Sequence, residues 1–524
     1  MKNGSLIVVL TLLVAVLILI ASGPHGLNGF PLDDAWIHMV YGRSISTAGY
    51  PAYNEGIPAT GSTSPLWGYV LGLIHIIFKK TDLIVLVVKM TGMALHSVAA
   101  WTCFRILKKF NLPNIVSLIG GLIIGLSPAL IVASISGMEI SLAYSLCLLG
   151  FAQYIEKKYL ITGILLGLAG LARPEFGLVS AVLMGDMAFQ IFKKRMSGKD
   201  IMQFSVPVIV AGSLFIGWNL IVDGRPFPAT FYMKSGLFAH FPLLDRVRTA
   251  FKMITADIPL AGGVAWLGLF GLAFFRKPER RWFCVIFFSA VLYTLGQVMI
   301  IPPSDPQAFY YIRYLLPAIP LFWVPLMAGL WAVLMFLWRQ PHSFHGKILA
   351  SGLVGISVFA IAFFLILGYI SWSAKYADDC RNINEVQVAL GRDIDAAFAS
   401  GARIGTVDAG AVKYFGQRFT LDLMGLNAPR LFQDRAMPLD ALVLMPAWMK
   451  GLQDPRLEEV GRRSTLDYCV TSNPAMNTQI VMACRASVEN SEISLRISGR
   501  EVHVDMKGMS DAQIKELKKL LKDH

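Results

Sequence analysis

The feature that most constrains this chain is a repeated one. Apolar runs of roughly 17–25 residues, the length that spans hydrocarbon, recur from Met1 to about Trp372. In lipid a backbone must satisfy its own hydrogen bonds, so such runs fold as helices. The composition agrees: 55% of the 524 residues are hydrophobic and 15% charged, against about a quarter charged in a soluble protein. The expected fold class is a polytopic α-helical membrane protein. Its spans are Met1–Ser22, Asp82–Leu107, Asn114–Ser134, Met138–Ile155, Tyr159–Ala172, Glu175–Phe192, Gln203–Val222, Pro259–Phe275, Trp282–Ile301, Tyr314–Trp338 and Lys347–Ser371. No small-x-small cleavage site follows the Leu6–Ile20 core, so the first run reads as an uncleaved helix entering from the cytoplasm.

Charge sets the topology. Lys and Arg cluster at Arg105–Lys109, Glu156–Lys158, Phe192–Lys199, Arg276–Arg281 and Arg339–Lys347, and such connections stay cytoplasmic. All five fall inside only if Pro65–Phe78, too short to span, lies on the outer surface as an interfacial helix. The count is then about 11 crossings. The net charge of +13 follows from these loops, and no nucleic-acid partner is expected. A membrane domain of residues 1–372, with a first outer loop at 23–80, precedes a water-exposed domain at 373–524. The expected location is a bacterial inner membrane, with the active face and the C-terminal domain in the periplasm.

The tail alternates short apolar runs with Gly, Pro and Asp: Ala402–Val407, Arg418–Leu423, Ala441–Met445, Leu466–Val470, Ile480–Cys484, Ser494–Ile497 and Glu501–Asp505. Runs of strand length among helical stretches predict an α/β or α+β domain. Ser510–Lys522 reads as an amphipathic helix with Ser510 as N-cap. Cys103, Cys147 and Cys284 read as small buried side chains, whereas Cys469 and Cys484 flank a turn-rich stretch that a disulfide can close.

Asp33 and Asp34 stand just beyond the first crossing, and Glu139 stands at a helix start on the same face. Each fits a first-turn acid that offsets a helix dipole. Acids gathered at one membrane face also fit general-base chemistry on an acceptor hydroxyl. Arg173 lies where Pro174 breaks an apolar run, Lys234 in RPFPATFYMK, and Arg313 in AFYYIRYLLP. Interfacial anchoring explains the aromatic neighbours; together the three cations read as a clamp for a leaving phosphate. His38 shares a helix face with Asp34, so Asp33, Asp34 and His38 offer ligands to a divalent metal such as Mg or Mn. No other cofactor is expected. There is no GxxxxGK(S/T), CxxC pair or HExxH, so nucleotide hydrolysis and zinc proteolysis find no support.

These residues are familiar in series. DDAWIHMVYGRSISTAGYPAYNEG and GSTSPLW, then SGMEISL, ARPEF, PFPATFYMKSG, IRYLLPAIP, IGTVDAGAVKYF and LDLMGLNAP, resemble the GT-C membrane glycosyltransferases. Within that superfamily they are most similar to the mycobacterial terminal arabinofuranosyltransferase-like group. The resemblance implies the GT-C fold, with interfacial helices in the first outer loop. It implies inverting transfer of a sugar from a polyprenyl-phosphate donor to an envelope glycan, lipid or protein acceptor, with membrane lipids around it. By position, Asp33 or Asp34 is the general base, Glu139 assists, and Arg173, Lys234 and Arg313 face the donor phosphate. His38, Arg43, Tyr53, Asn54, Ser64 and Trp67 are the other first-loop motif residues. Two positions depart from the pattern: Thr60 stands where the family has Glu, and Ala229 where it has Asn. Both departures bear on donor and acceptor identity, not on the class.

Two other readings compete. A flippase of lipid-linked sugars would show related halves and charges near the bilayer midplane, neither of which is visible in the sequence. An envelope-assembly protein with an inactive transferase fold has no need of Asp33, Asp34 and Glu139.

Overall fold

The computed structural model describes residues 2–237, 242–256, 258–300, 309–339, 344–427, 438–446, 456–464, 478–485, 490–497 and 500–522. Packing divides the chain into two compact units that do not follow chain order. The first comprises Met1–Ala21, Lys89–Phe215 and Phe238–Ala374; the second comprises Ser22–Val88, Ile216–Leu237 and Lys375–His524. The first outer loop thus packs with the C-terminal tail.

The first unit is helical. Among the described residues, six helices are long and apolar enough to cross a membrane: Asn3–Ala21, Thr81–Lys109, Gly198–Asp223, Lys277–Ile300, Ala318–Trp338 and Ser351–Ala397. The expected span Asn114–Ser134 is broken into Asn114–Gly125 and Pro128–Ile135, bent by 52°. Pro128 has no N–H to continue the ladder, and it holds Ser127 in an extended conformation (ψ 117°). The next three expected spans appear as shorter helices, Ile140–Ile155, Tyr159–Ala172 and Phe176–Phe192. The expected span Pro259–Phe275 is a 3-10 helix, Ile258–Ala273, packed backbone-to-backbone on Ala318–Trp338. A Cβ on Gly268 would stand 2.0 Å from the Leu326 carbonyl oxygen, so only small residues allow this contact.

Three basic connections meet at one end of this unit. Glu156 binds Arg105 (2.8 Å), Lys109 (3.4 Å) and Lys158 (2.8 Å). Asp186 binds Arg281 (2.6 Å), and Asn111 donates to Glu279 (2.8 Å). Glu139 and Arg173 sit at the opposite ends of the two helices that flank Glu156–Lys158.

The second unit joins loop to tail. Helix Asp33–Ala48 packs on helix Pro65–Ile77 through glycines: a Cβ on Gly42 would meet Leu71 at 2.6 Å, and one on Gly72 would meet Ile45 at 2.7 Å. Between them, β1 (Ala52–Asn54) and β2 (Ile57–Pro58) form a short hairpin. The last membrane helix, Phe344–Ile383, runs on past Ser371 into a π-turn, Asn384–Val388, and then into helix Ala389–Ala397.

Beyond it lies a mixed seven-stranded sheet of β3 (Arg403–Thr406), β4 (Phe419–Asp422), β5 (Ala441–Leu444), β6 (Leu457–Ser464), β7 (Thr478–Arg485), β8 (Asn490–Ile497) and β9 (Arg500–Met509). The order is β4-β3-β5-β7-β9-β8, with β6 also paired to β7. One apolar cluster gathers Val407, Leu442, Leu444, Met482, Val502 and Val504. The other packs strand residues against Leu390 and Ile394 of one helix and Ile514, Leu517 and Leu521 of helix Asp511–Lys522.

Six of the seven expected strands are present; the seventh, Leu466–Val470, lies outside the described residues, as does Cys469. Strand β6, LEEVGRRS, was not expected, because only Val460 and Gly461 of its eight residues are buried and the apolar alternation is missing.

Candidate functional site

Asp33 occupies the first turn of its helix, and its carboxylate is fully engaged. Oδ2 accepts from Gly410 N and Oδ1 from Ala411 N, both at 2.6 Å. The chain comes close enough for this only because residue 410 is glycine: a Cβ there would lie 2.2 Å from the Asp33 carbonyl oxygen. Its neighbour is another acid, Asp408, near enough that each of the two carboxyl groups shifts the titration of the other. Asp408 Oδ2 in turn accepts from Gln387 Nε2 (3.0 Å) and Gln479 Nε2 (3.4 Å). Burial raises the pKa of Asp33, and burial together with the Asp33 charge raises that of Asp408 further. Asp34, one residue on, remains half-buried. Trp36 anchors the same turn against Phe30, Tyr414 and Phe415, with ring centroids 4.8–5.2 Å away.

The other first-loop motif residues face the same way. Arg43 donates to the Tyr414 carbonyl (2.9 Å) and lies 4.5 Å over its ring. Tyr53 donates to the Ala409 carbonyl at 2.7 Å. Asn54 Nδ2 donates to the Thr420 carbonyl (2.8 Å), while its Oδ1 accepts from Thr420 N (2.9 Å) and Lys413 Nζ (2.8 Å). Burial lowers the Lys413 pKa to about 7. Asp422, raised by burial to about 6, accepts from Asn427, which meets the Tyr41 hydroxyl at 3.3 Å. Ser64, Trp67 and His38 are buried. The loop motif is therefore, to a large extent, a docking surface for the C-terminal domain.

In the first unit a second cluster forms. Arg173, 4% exposed, binds Glu139 (3.2 Å) and faces Glu175 (3.6 Å). Its guanidinium lies 5.4 Å from the ring centroid of Tyr314. Arg313, 2% exposed, lies 4.8 Å from that centroid and 4.4 Å from that of Tyr310, and donates to the Tyr314 hydroxyl (2.9 Å). Two of the three expected cations thus come together on one tyrosine; the Lys234 side chain lies outside the described residues. Glu139 is the ion-pair partner of Arg173 and caps helix Ile140–Ile155 instead of opening a helix at Met138.

Sequence reasoning missed four residues here. Glu175 and Tyr314 lie inside the quoted motifs ARPEF and IRYLLPAIP. Lys89, fully buried in a membrane-length helix, reaches the Ile135 carbonyl (3.5 Å) in the turn before Glu139. A lysine inside an apolar run is the signal that marks it. Asp408 sits in TVDAG, a strand running into a glycine turn.

Asp33, Asp34 and His38 do not fit a divalent metal. Both Asp33 oxygens are taken by N–H donors, and among the described residues no three His, Cys, Asp or Glu side chains gather to hold an ion.

The structure is similar along nearly its whole length to two crystal structures of ArnT from Cupriavidus metallidurans. The apo form gives a TM-score of 0.55 at 13% identity, covering 91% of this chain and 97% of that one. The form bound to undecaprenyl phosphate gives 0.56 at 11% identity, covering 92% and 98%. This chain has the GT-C fold. The apo oligosaccharyltransferase of Archaeoglobus fulgidus is similar too, at TM-score 0.51 and 12% identity, over 80% of this chain and 64% of that one. Within the C-terminal part, residues 381–492 match a family described as Domain of unknown function (DUF8728). No curated protein matches the chain. The protein is a multi-pass membrane protein of the GT-C fold carrying a C-terminal β-sheet domain.

Proposed function

We propose that the protein is an inverting glycosyltransferase that moves a sugar from a polyprenyl-phosphate donor to an envelope glycan, lipid or protein. The observation that carries this reading is the buried arginine pair on Tyr314, in a fold shared with an ArnT structure that holds undecaprenyl phosphate. Fixed guanidinium groups on a preorganised aromatic suit a phosphate whose charge grows in the transition state. The sequence motifs resemble the arabinofuranosyltransferase-like group, which makes a lipid-linked arabinose the first donor to test. The clustering of basic connections favours a bacterial inner membrane with the reaction on the periplasmic side.

The base in this reading is Asp34. Asp33 is buried with both oxygens accepting from backbone N–H groups, so of the two acids the half-buried Asp34 is the more accessible to an acceptor hydroxyl. Asp34 takes the proton of the acceptor hydroxyl, whose oxygen attacks the anomeric carbon from the face opposite the phosphate. The bond from anomeric carbon to phosphate oxygen breaks and its electron pair leaves with the prenyl phosphate, the kind of anion that a buried guanidinium pair such as Arg313 and Arg173 suits. Glu139 keeps Arg173 oriented.

The test uses purified full-length protein in two assays. Release of undecaprenyl phosphate from undecaprenyl-phosphate-linked arabinose should fall roughly 10²–10⁴-fold in Asp34→Asn. Binding of undecaprenyl phosphate alone should weaken in Arg313→Gln. Full release by Asp34→Asn, or unchanged lipid binding in Arg313→Gln, overturns the respective assignment.

A further inference from the structure

We propose that Asp408 is a positioning residue: it holds a proton in a hydrogen bond to Asp33, and this acid–carboxylate pair locks the helix turn that presents Asp34 onto the C-terminal domain. Counting donors and acceptors places the proton. Asp33 uses both oxygens to accept short backbone N–H bonds from Gly410 and Ala411. Asp408 uses Oδ2 to accept from two glutamine amides, Gln387 and Gln479. Two carboxylates cannot bond to each other without a proton, and the Asp33 oxygens are committed as acceptors, so Asp408 Oδ1 donates. Both side chains are more than nine-tenths buried, where a second bare charge is costly.

The surroundings agree. Burial is the main cause that raises both acids, and each is raised further by the nearby Asp34. Tyr53, whose ring environment includes both acids and Asp422, spends its hydroxyl proton on the Ala409 carbonyl between them. The side chains meeting Asp408 from the π-turn and from β7 are the two neutral glutamines.

The consequence is a docking contact that depends on pH. A group whose folded pKa lies above its unfolded value stabilises most at low pH, and that contribution is lost as pH rises through the folded pKa. The loss begins above the ordinary carboxylate range and amounts to up to tenfold in the folding equilibrium per pH unit while one proton is being released. Asp408→Asn removes this dependence, because its amide N–H donates to Asp33 at every pH.

The experiment measures thermal unfolding of the full chain in detergent from pH 4 to pH 9, for wild type, Asp408→Asn and Asp408→Ala. Relative to Asp408→Asn, the wild type should lose stability as pH rises, and Asp408→Ala should be the least stable of the three at low pH. Parallel wild-type and Asp408→Asn curves overturn the shared proton. Should neither variant fold, hydrogen exchange at Gly410 and Ala411 in the wild type decides: exchange should quicken with pH beyond its intrinsic rise, and a purely intrinsic rise overturns the proposal. The choice of Asp34 as base is a separate question, tested by its own turnover. If the clasp holds and Asp34→Asn remains active, only the functional reading falls. A link between the two shows as an alkaline limb in the wild-type turnover number that moves in Asp408→Asn; an unmoved limb overturns the positioning role.

Discussion

Two adjacent aspartates show how far identity falls short of environment at the level of the single residue. Asp33 and Asp34 have the same side chain, yet one is sequestered by the C-terminal domain and the other is half-buried. Asn54 carries the same lesson for a neutral residue, because it satisfies three buried partners, Thr420 N, the Thr420 carbonyl and Lys413 Nζ. Truncating it strands the two Thr420 groups, while Lys413 keeps the Arg418 carbonyl (2.6 Å), and each buried orphan costs about 1–3 kcal/mol. Asn54→Ala is therefore expected to lower stability by about 2 kcal/mol or more, read as an earlier denaturant midpoint with the slope unchanged. A loss under about 0.5 kcal/mol would show that the pair finds water instead.

The elements were legible where one local signal decides them. Ser510 was expected to cap the last helix, and it does so in a reciprocal arrangement. Gln513 Oε1 accepts from Ser510 N (2.9 Å), and Ser510 Oγ accepts from Gln513 N (3.4 Å). Ser510→Ala should cost about 1 kcal/mol, measured as faster amide exchange in the first turn of Asp511–Lys522. The turn before helix Ala411–Gly416 is the opposite case, since no local pattern announces what Gly410 must leave room for. Gly410→Ala would drive a methyl into the Asp33 backbone and carboxylate, 2.2 and 2.6 Å away, neither of which is free to move. Overpacking of this kind costs about 1–3 kcal/mol, and the expected outcome is a lower melting temperature that Asp33→Ala partly relieves. Strand β6 escaped notice for a related reason: its outer residues are charged, and its place is fixed by pairing with β7.

At the scale of the whole molecule, apolar runs and basic connections predicted a polytopic helical scaffold, and strand-length runs a sheet-bearing tail, and this chain has both. Hydropathy was enough for this because the cost of leaving a backbone polar group unpaired in lipid is paid residue by residue, without reference to distant chain. The partition into units was out of its reach. The contact from Gly410 to Asp33 joins residues 377 apart, and that from Tyr41 to Asn427 joins residues 386 apart. So the sequence alone settled where most of the helices and six of the strands lie, though not strand β6 or the break before Pro128, and which side chains carry charge beside apolar surface. The folded chain decided that Arg173 and Arg313 share a tyrosine, that Glu139 balances an arginine, and that Asp33 meets the Gly410 and Ala411 N–H groups. Those outcomes depend on which long loops close, and the desolvation that fixes a carboxylate's role exists only once they have closed.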